Sequence, residues 1–110
     1  MKKFYNEIPE MTFFKGDTLP IFTIKVNGED IEKCSMRMVI SRVKSPEEKT
    51  ISIECVRQPD CFRAHLWSLD TQKLDEGTYR ISFIMTDDKD PPLTYIKLSG
   101  LMHVRSLSGG

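Results

Sequence analysis

Apolar and polar residues alternate with a period of two along nearly the whole chain. Cys34, Met36, Met38 and Ile40 interleave with Ser35, Arg37, Val39 and Ser41. The same rhythm sets Ile51, Ile53 and Cys55 against Ser52 and Glu54, and Phe62, Ala64 and Leu66 against Arg63 and His65. It returns in Tyr79, Ile81 and Phe83 against Arg80 and Ser82. Successive side chains of a strand point to opposite faces, so this pattern describes strands with one buried face. No window of a dozen residues carries a helical stripe. Strands are predicted near residues 11–14, 19–26, 34–43, 49–57, 61–68, 77–86 and 93–105, with an N-terminal arm at 1–10 and a flexible tail at 106–110.

Turn chemistry separates these segments. Lys15-Gly16-Asp17-Thr18 and Asn27-Gly28-Glu29-Asp30 supply Gly, Asn and Asp, which tolerate positive φ. Pro46 and Pro59 sit where a turn wants φ near −65°. The polar run Asp87 to Pro92 ends in two prolines that cannot donate to a central ladder. Ser99-Gly100 falls within the last strand and predicts a bulge or a break there. Seven or eight short antiparallel strands in 110 residues imply a single all-β domain, a sandwich or barrel.

The stretch Leu74 to Phe83, LDEGTYRISF, favours the sandwich. Asp75, Gly77 and Tyr79 at alternate positions, with Ile81 after them, resemble the D-x-G-x-Y-x-C corner of immunoglobulin-like domains. In such a corner the tyrosine hydroxyl bonds to backbone a few residues upstream. Gly77 lets the chain turn under the ring, and Asp75 or Glu76 accepts bonds from turn amides. Ile81 in the cysteine position suits an Ig-like β-sandwich whose core needs no inter-sheet disulfide.

A wider resemblance spans most of the chain. Gly16-Asp17-Thr18 precedes a strand, Gly28 and Asp30-Ile31 lead into a long alternating strand, and Leu74 to Phe83 marks the corner. This order is similar to the N-terminal Ig-like domain of phage baseplate upper proteins and their small prophage-encoded relatives. Glu32-Lys33-Cys34-Ser35-Met36 departs from the LTGAT segment usual there. None of these motifs is catalytic. The resemblance implies a non-enzymatic structural or interaction module of a tail or baseplate-type particle, with virion association and protein partners (self or other particle proteins). The second reading is a bacterial surface or secreted Ig-like domain that binds carbohydrate or protein.

Composition narrows the alternatives. Sixteen basic residues balance sixteen acidic ones, which argues against nucleic acid as the partner, because phosphate binding needs a basic field. The N-terminus has lysines but no apolar h-region, so cytoplasmic synthesis without a signal peptide is expected. No apolar run approaches the roughly 18 residues of a membrane helix, so no membrane partner is expected. Cys34, Cys55 and Cys61 are odd in number and read as buried free thiols, although Cys55 and Cys61 flank a turn and could pair in an oxidising compartment.

Candidate chemistry is sparse. His65 and His103 each alternate with apolar neighbours and read as strand-face residues. Cys61 and His65 stand roughly 13 Å apart on an extended strand, too far to share a zinc ion. Asp70 and Thr71 read as a capped turn. Asp87, Asp88 and Asp90 lack the ligand spacing of a calcium loop. No phosphate loop, catalytic triad or carboxylate pair can be assembled. Neither cofactor nor metal is expected, and no catalytic residue is assigned. Trp67 falls on the face opposite Leu66 and is a candidate contact residue. Phe4 and Tyr5 in the arm and Phe14 in the first strand are the other apolar candidates for a self or partner interface, homo-oligomerisation being the consequence of the self alternative.

Overall fold

A computed structural model describes residues 6–19, 21–26, 31–45, 49–89 and 91–106. Strands β1 (Asn6–Glu7), β2 (Met11–Phe14) and β3 (Phe22–Lys25) are followed by a 3₁₀ turn at Ile31–Lys33. Then come β4 (Cys34–Arg42), β5 (Lys49–Glu54), β6 (Val56–Arg57), β7 (Cys61–Ala64) and a one-turn helix α1 (Ser68–Thr71). β8 (Gly77–Asp87) and β9 (Thr94–Arg105) complete the chain. The large sheet has the order β1-β9-β8-β4-β5 with β2 also on β9, and the small sheet has the order β3-β7-β6. The protein is an all-β sandwich.

The period-two pattern becomes the core. Met36, Met38 and Ile40 of β4 stand opposite Met85, Phe83 and Ile81 of β8, and all six are buried together with Met102 and Val104 of β9. Ile24, Phe62, Ala64 and Leu66 close the core from the small sheet. Each large apolar side chain buried this way contributes roughly 1.5–3 kcal/mol.

The corner forms. The Tyr79 hydroxyl donates to the Asp75 carbonyl at 2.7 Å, the ring is buried, and the Arg42 guanidinium lies 5.4 Å from its centroid. Gly77 has φ +152°, a value that L side chains rarely adopt. The acids do a different job from the one expected. The exposed Asp75 carboxylate pairs with Lys15 and Arg42, both at 3.5 Å. Glu76 accepts from the Ser106 amide at the far end of β9, 3.1 Å away.

Other expectations are corrected. The first two strands are not antiparallel: β1 and β2 run parallel to β9, with Asn6 opposite Leu98 and Met11 opposite Met102. Only hairpin-linked strands are forced antiparallel, and these segments come from opposite ends of the chain. The strand expected at 49–57 is two strands in different sheets. At the switch the Cys55 amide still bonds Met36 O of the large sheet at 2.9 Å, after which β6 joins β7. The strand expected at 61–68 stops at Ala64, because Asp70 and Thr71 capture the backbone that follows. The register shift in the last hairpin lies between Phe83 and Ile84, not at Ser99-Gly100. Gly100 has another role: a Cβ there would stand 2.8 Å from the Ile8 carbonyl, so only glycine lets the β1–β2 connection lie this close to β9.

Candidate interaction surface

The outer face of the small sheet follows from its register. Thr23 and Val56 flank Arg63 directly, and Lys25 stands opposite Cys61. Paired residues share a face, and so do residues two apart on a strand. β7 therefore presents Arg63 and His65 outward, with Cys61 on the same side but buried, while β3 presents Thr23 and Lys25. Trp67 continues the β7 row, its ring centroid 3.9 Å from that of His65. Its backbone amide is held by the Asp70 carboxylate at 2.9 Å, so Asp70 caps the turn as expected. Trp67 is 58% exposed. Ile21, Val56 and Leu69 are also large apolar side chains in contact with solvent.

α1 is anchored from below. Thr71, fully buried, donates its hydroxyl to the Asp17 carbonyl at 2.7 Å, and the Asp17 carboxylate accepts the Phe14 amide at 3.0 Å. Gly16 takes the positive φ of +93° that its turn was expected to need. Phe14 and Trp67, chosen separately from the sequence, thus flank one end of the sandwich through the turn at Gly16-Asp17. Phe14 is 39% exposed and lies on the large sheet, opposite Arg105. Phe4, Tyr5, the turn Asn27–Asp30 and Asp90 lie outside the described residues.

The remaining candidates are occupied or scattered. The Asp87 carboxylate accepts the amides of Leu93 at 2.8 Å and Lys89 at 3.1 Å. The Leu93 amide, foremost, holds its pKa below the ordinary carboxylate value. That is a hairpin-loop clamp, and among the described residues no cluster of metal-ligating side chains forms. His103 lies on the strand face between Thr78 at 3.2 Å and Glu10 at 3.3 Å. None of the three cysteines is in a disulfide; Cys55 and Cys61 are buried and Cys34 is half-buried. Burial, assisted by the neighbouring Glu54 carboxylate, pushes the Cys55 thiol up to about 11. A depression of about 280 Å³ on the outer face of the large sheet is lined by Ser35, Arg37, Val39, Glu54, Ile84 and Thr86, among others. That lining brings hydroxyls and one unlike-charge pair to an apolar floor, without a nucleophile and base in register. Among the described residues no helix is long and apolar enough to cross a membrane.

Reading the sequence missed Ile21, Leu69, Lys25 and Arg63 as members of the Trp67 surface. Period two tells which residues share a face on one strand, but not which strands stand side by side.

Compared with models of known protein families the chain matches none, and comparison with curated proteins yields no match.

Proposed function

We propose that this protein is an Ig-like, non-enzymatic interaction module, used as a component of a phage or prophage tail or baseplate-type particle. The observation that carries the interaction reading is Trp67: an exposed indole packed against the His65 ring, on a backbone fixed by the Asp70 carboxylate. A preorganised aromatic loses little entropy on contact, which is why such residues anchor interfaces. Two features support the Ig-like part. Strands β9-β8-β4-β5 face β3-β7-β6, as the G, F, C and C′ strands of a variable-type domain face B, E and D. The tyrosine corner opens β8, the strand that corresponds to F. The particle context is supported by the sequence resemblance alone, an argument by analogy.

The test uses the protein products of the genes flanking its own. Mixed with them, the full chain is expected to co-elute in a complex, and Trp67→Ala to weaken that complex at least tenfold with an unchanged circular dichroism spectrum. A chain that remains monomeric at high concentration and binds none of these products would overturn the particle reading. A second reading, a surface or secreted domain that takes carbohydrate, is favoured by the same exposed ring, on which the C–H face of a sugar can stack. Saccharide binding lost in Trp67→Ala, with no protein complex, would select it.

A further inference from the structure

We propose that the open edge of β3 accepts an extended acidic–apolar segment of a partner protein as an added strand. The inference rests on the interaction-module reading and names the chemistry of the partner. In an Ig-type sandwich the sheet that contains the second, fifth and fourth strands also holds the first strand, lying against the second. Here the first strands, β1 and β2, lie on β9 in the other sheet. Among the described residues β3 pairs with β7 alone. The place beside β3 is the one that such a sheet would fill with its first strand.

The backbone of that edge is oriented for pairing. The Val26 amide bonds Asp60 O at 3.4 Å, in register with the Ile24–Phe62 and Phe22–Ala64 pairs. Bonded and non-bonded pairs alternate in an antiparallel ladder, so the amides and carbonyls of Thr23 and Lys25 point away from β7, toward the open side. An unpaired row of this kind is a template for another strand.

Side chains select what fits. Lys25 is exposed and has no carboxylate within ion-pair distance among the described residues. Arg63 adds a second cation one strand further in, opposite Thr23. On the inner side Phe22 is only half-buried although its ring packs 5.7 Å from that of Phe83, so an apolar neighbour would complete its burial. Ile21, just before the strand, is 52% exposed. An antiparallel donor therefore carries a carboxylate opposite Lys25, apolar side chains opposite Ile24 and Phe22, and another opposite Ile21. The chain's own Met1-Lys2-Lys3-Phe4-Tyr5 has two lysines and no acid, the wrong sign for this position.

The probe is the peptide acetyl-Ser-Glu-Val-Thr-Val-Ile-Ser-amide, with a control in which lysine replaces the glutamate. Amide hydrogen exchange is followed by NMR on the full chain. The Thr23 and Lys25 amides are expected to exchange rapidly in the free protein and to slow at least tenfold, saturably, with the acidic peptide but not with its control. Lys25→Glu should reverse that preference, and Thr23→Pro, which removes an edge donor, should abolish protection. Slow exchange at Thr23 and Lys25 in the free chain, no saturable protection, or equal response to both peptides overturns the proposal. If Trp67→Ala weakens the complex with a neighbouring gene product while Lys25→Glu and Thr23→Pro do not, strand donation fails and the interaction-module reading stands.

Discussion

The two sheets divide the work of this protein unequally. β8 and β9 are 11 and 12 residues long, and β4 pairs with β8 from Cys34 to Arg42 without a break. β3 and β7 have four residues each. The outer face of the large sheet is knit by short hydroxyl pairs, Ser82 with Ser99 and Thr86 with Thr94, each at 3.2 Å. The outer face of the small sheet instead carries Lys25, Arg63, His65 and Trp67. A long ladder with a corner lock determines the framework many times over. A short sheet can complete the core from its inner face and still leave Lys25, Arg63 and Trp67 of its outer side in solvent. Regions with few backbone bonds are also the ones expected to open first.

The sharpest way to break this contrast is at Phe62, where the small sheet meets the core and which is 1% exposed. Phe62→Ala should lower unfolding stability by about 3–5 kcal/mol. A loss below about 1 kcal/mol in denaturant titration would mean that the large sheet folds without the small one. Next in size is the corner. Tyr79→Phe removes the donor to the Asp75 carbonyl and should cost about 1–1.5 kcal/mol with the same spectrum; equal midpoints for parent and variant would strip the corner of its locking role.

Cys55 tests the switch between the sheets through pH. Its folded pKa, about 11, lies above the ordinary 9.0, so the folded state keeps a proton that the unfolded state loses. Stability is then unaffected below pH 9 and falls as pH rises toward 11, by at most about 1.4 kcal/mol per unit. Cys55→Ala should flatten that slope, and an identical slope in the variant would assign it to other groups. The smallest effect is expected at Trp67. Because its ring is mostly in solvent, Trp67→Ala should change stability by less than about 0.5 kcal/mol. A larger loss would make Trp67 part of the framework and remove the contrast.

Much of this was legible in the chain. Met36, Met38, Ile40, Tyr79, Ile81 and Phe83 could be assigned to one buried face because strand geometry alone sets the alternation. The corner could be read from Gly77 and Tyr79 because each answers a local demand of the backbone, whereas the Asp75 carboxylate pairs with the distant Lys15 and Arg42. Trp67 could be assigned to the face opposite Leu66 for the same reason. The Cys55 switch could not, since a strand that changes sheets keeps its period. Nor could the role of Gly100, whose constraint comes from Ile8, far away in the chain.

The sequence by itself therefore determined which side chains point inward, where the chain turns, and that the fold is built from strands. These are properties of one or two turns of backbone, decided by sterics and local hydrogen bonds. Only the tertiary structure decided that β1 and β2 cross to β9, that β5 and β6 part at Cys55, and that Lys25, Arg63 and Trp67 share one face. Those outcomes depend on which distant strands win each edge. That competition is settled by the burial and backbone pairing of the whole sandwich, and no single segment encodes it.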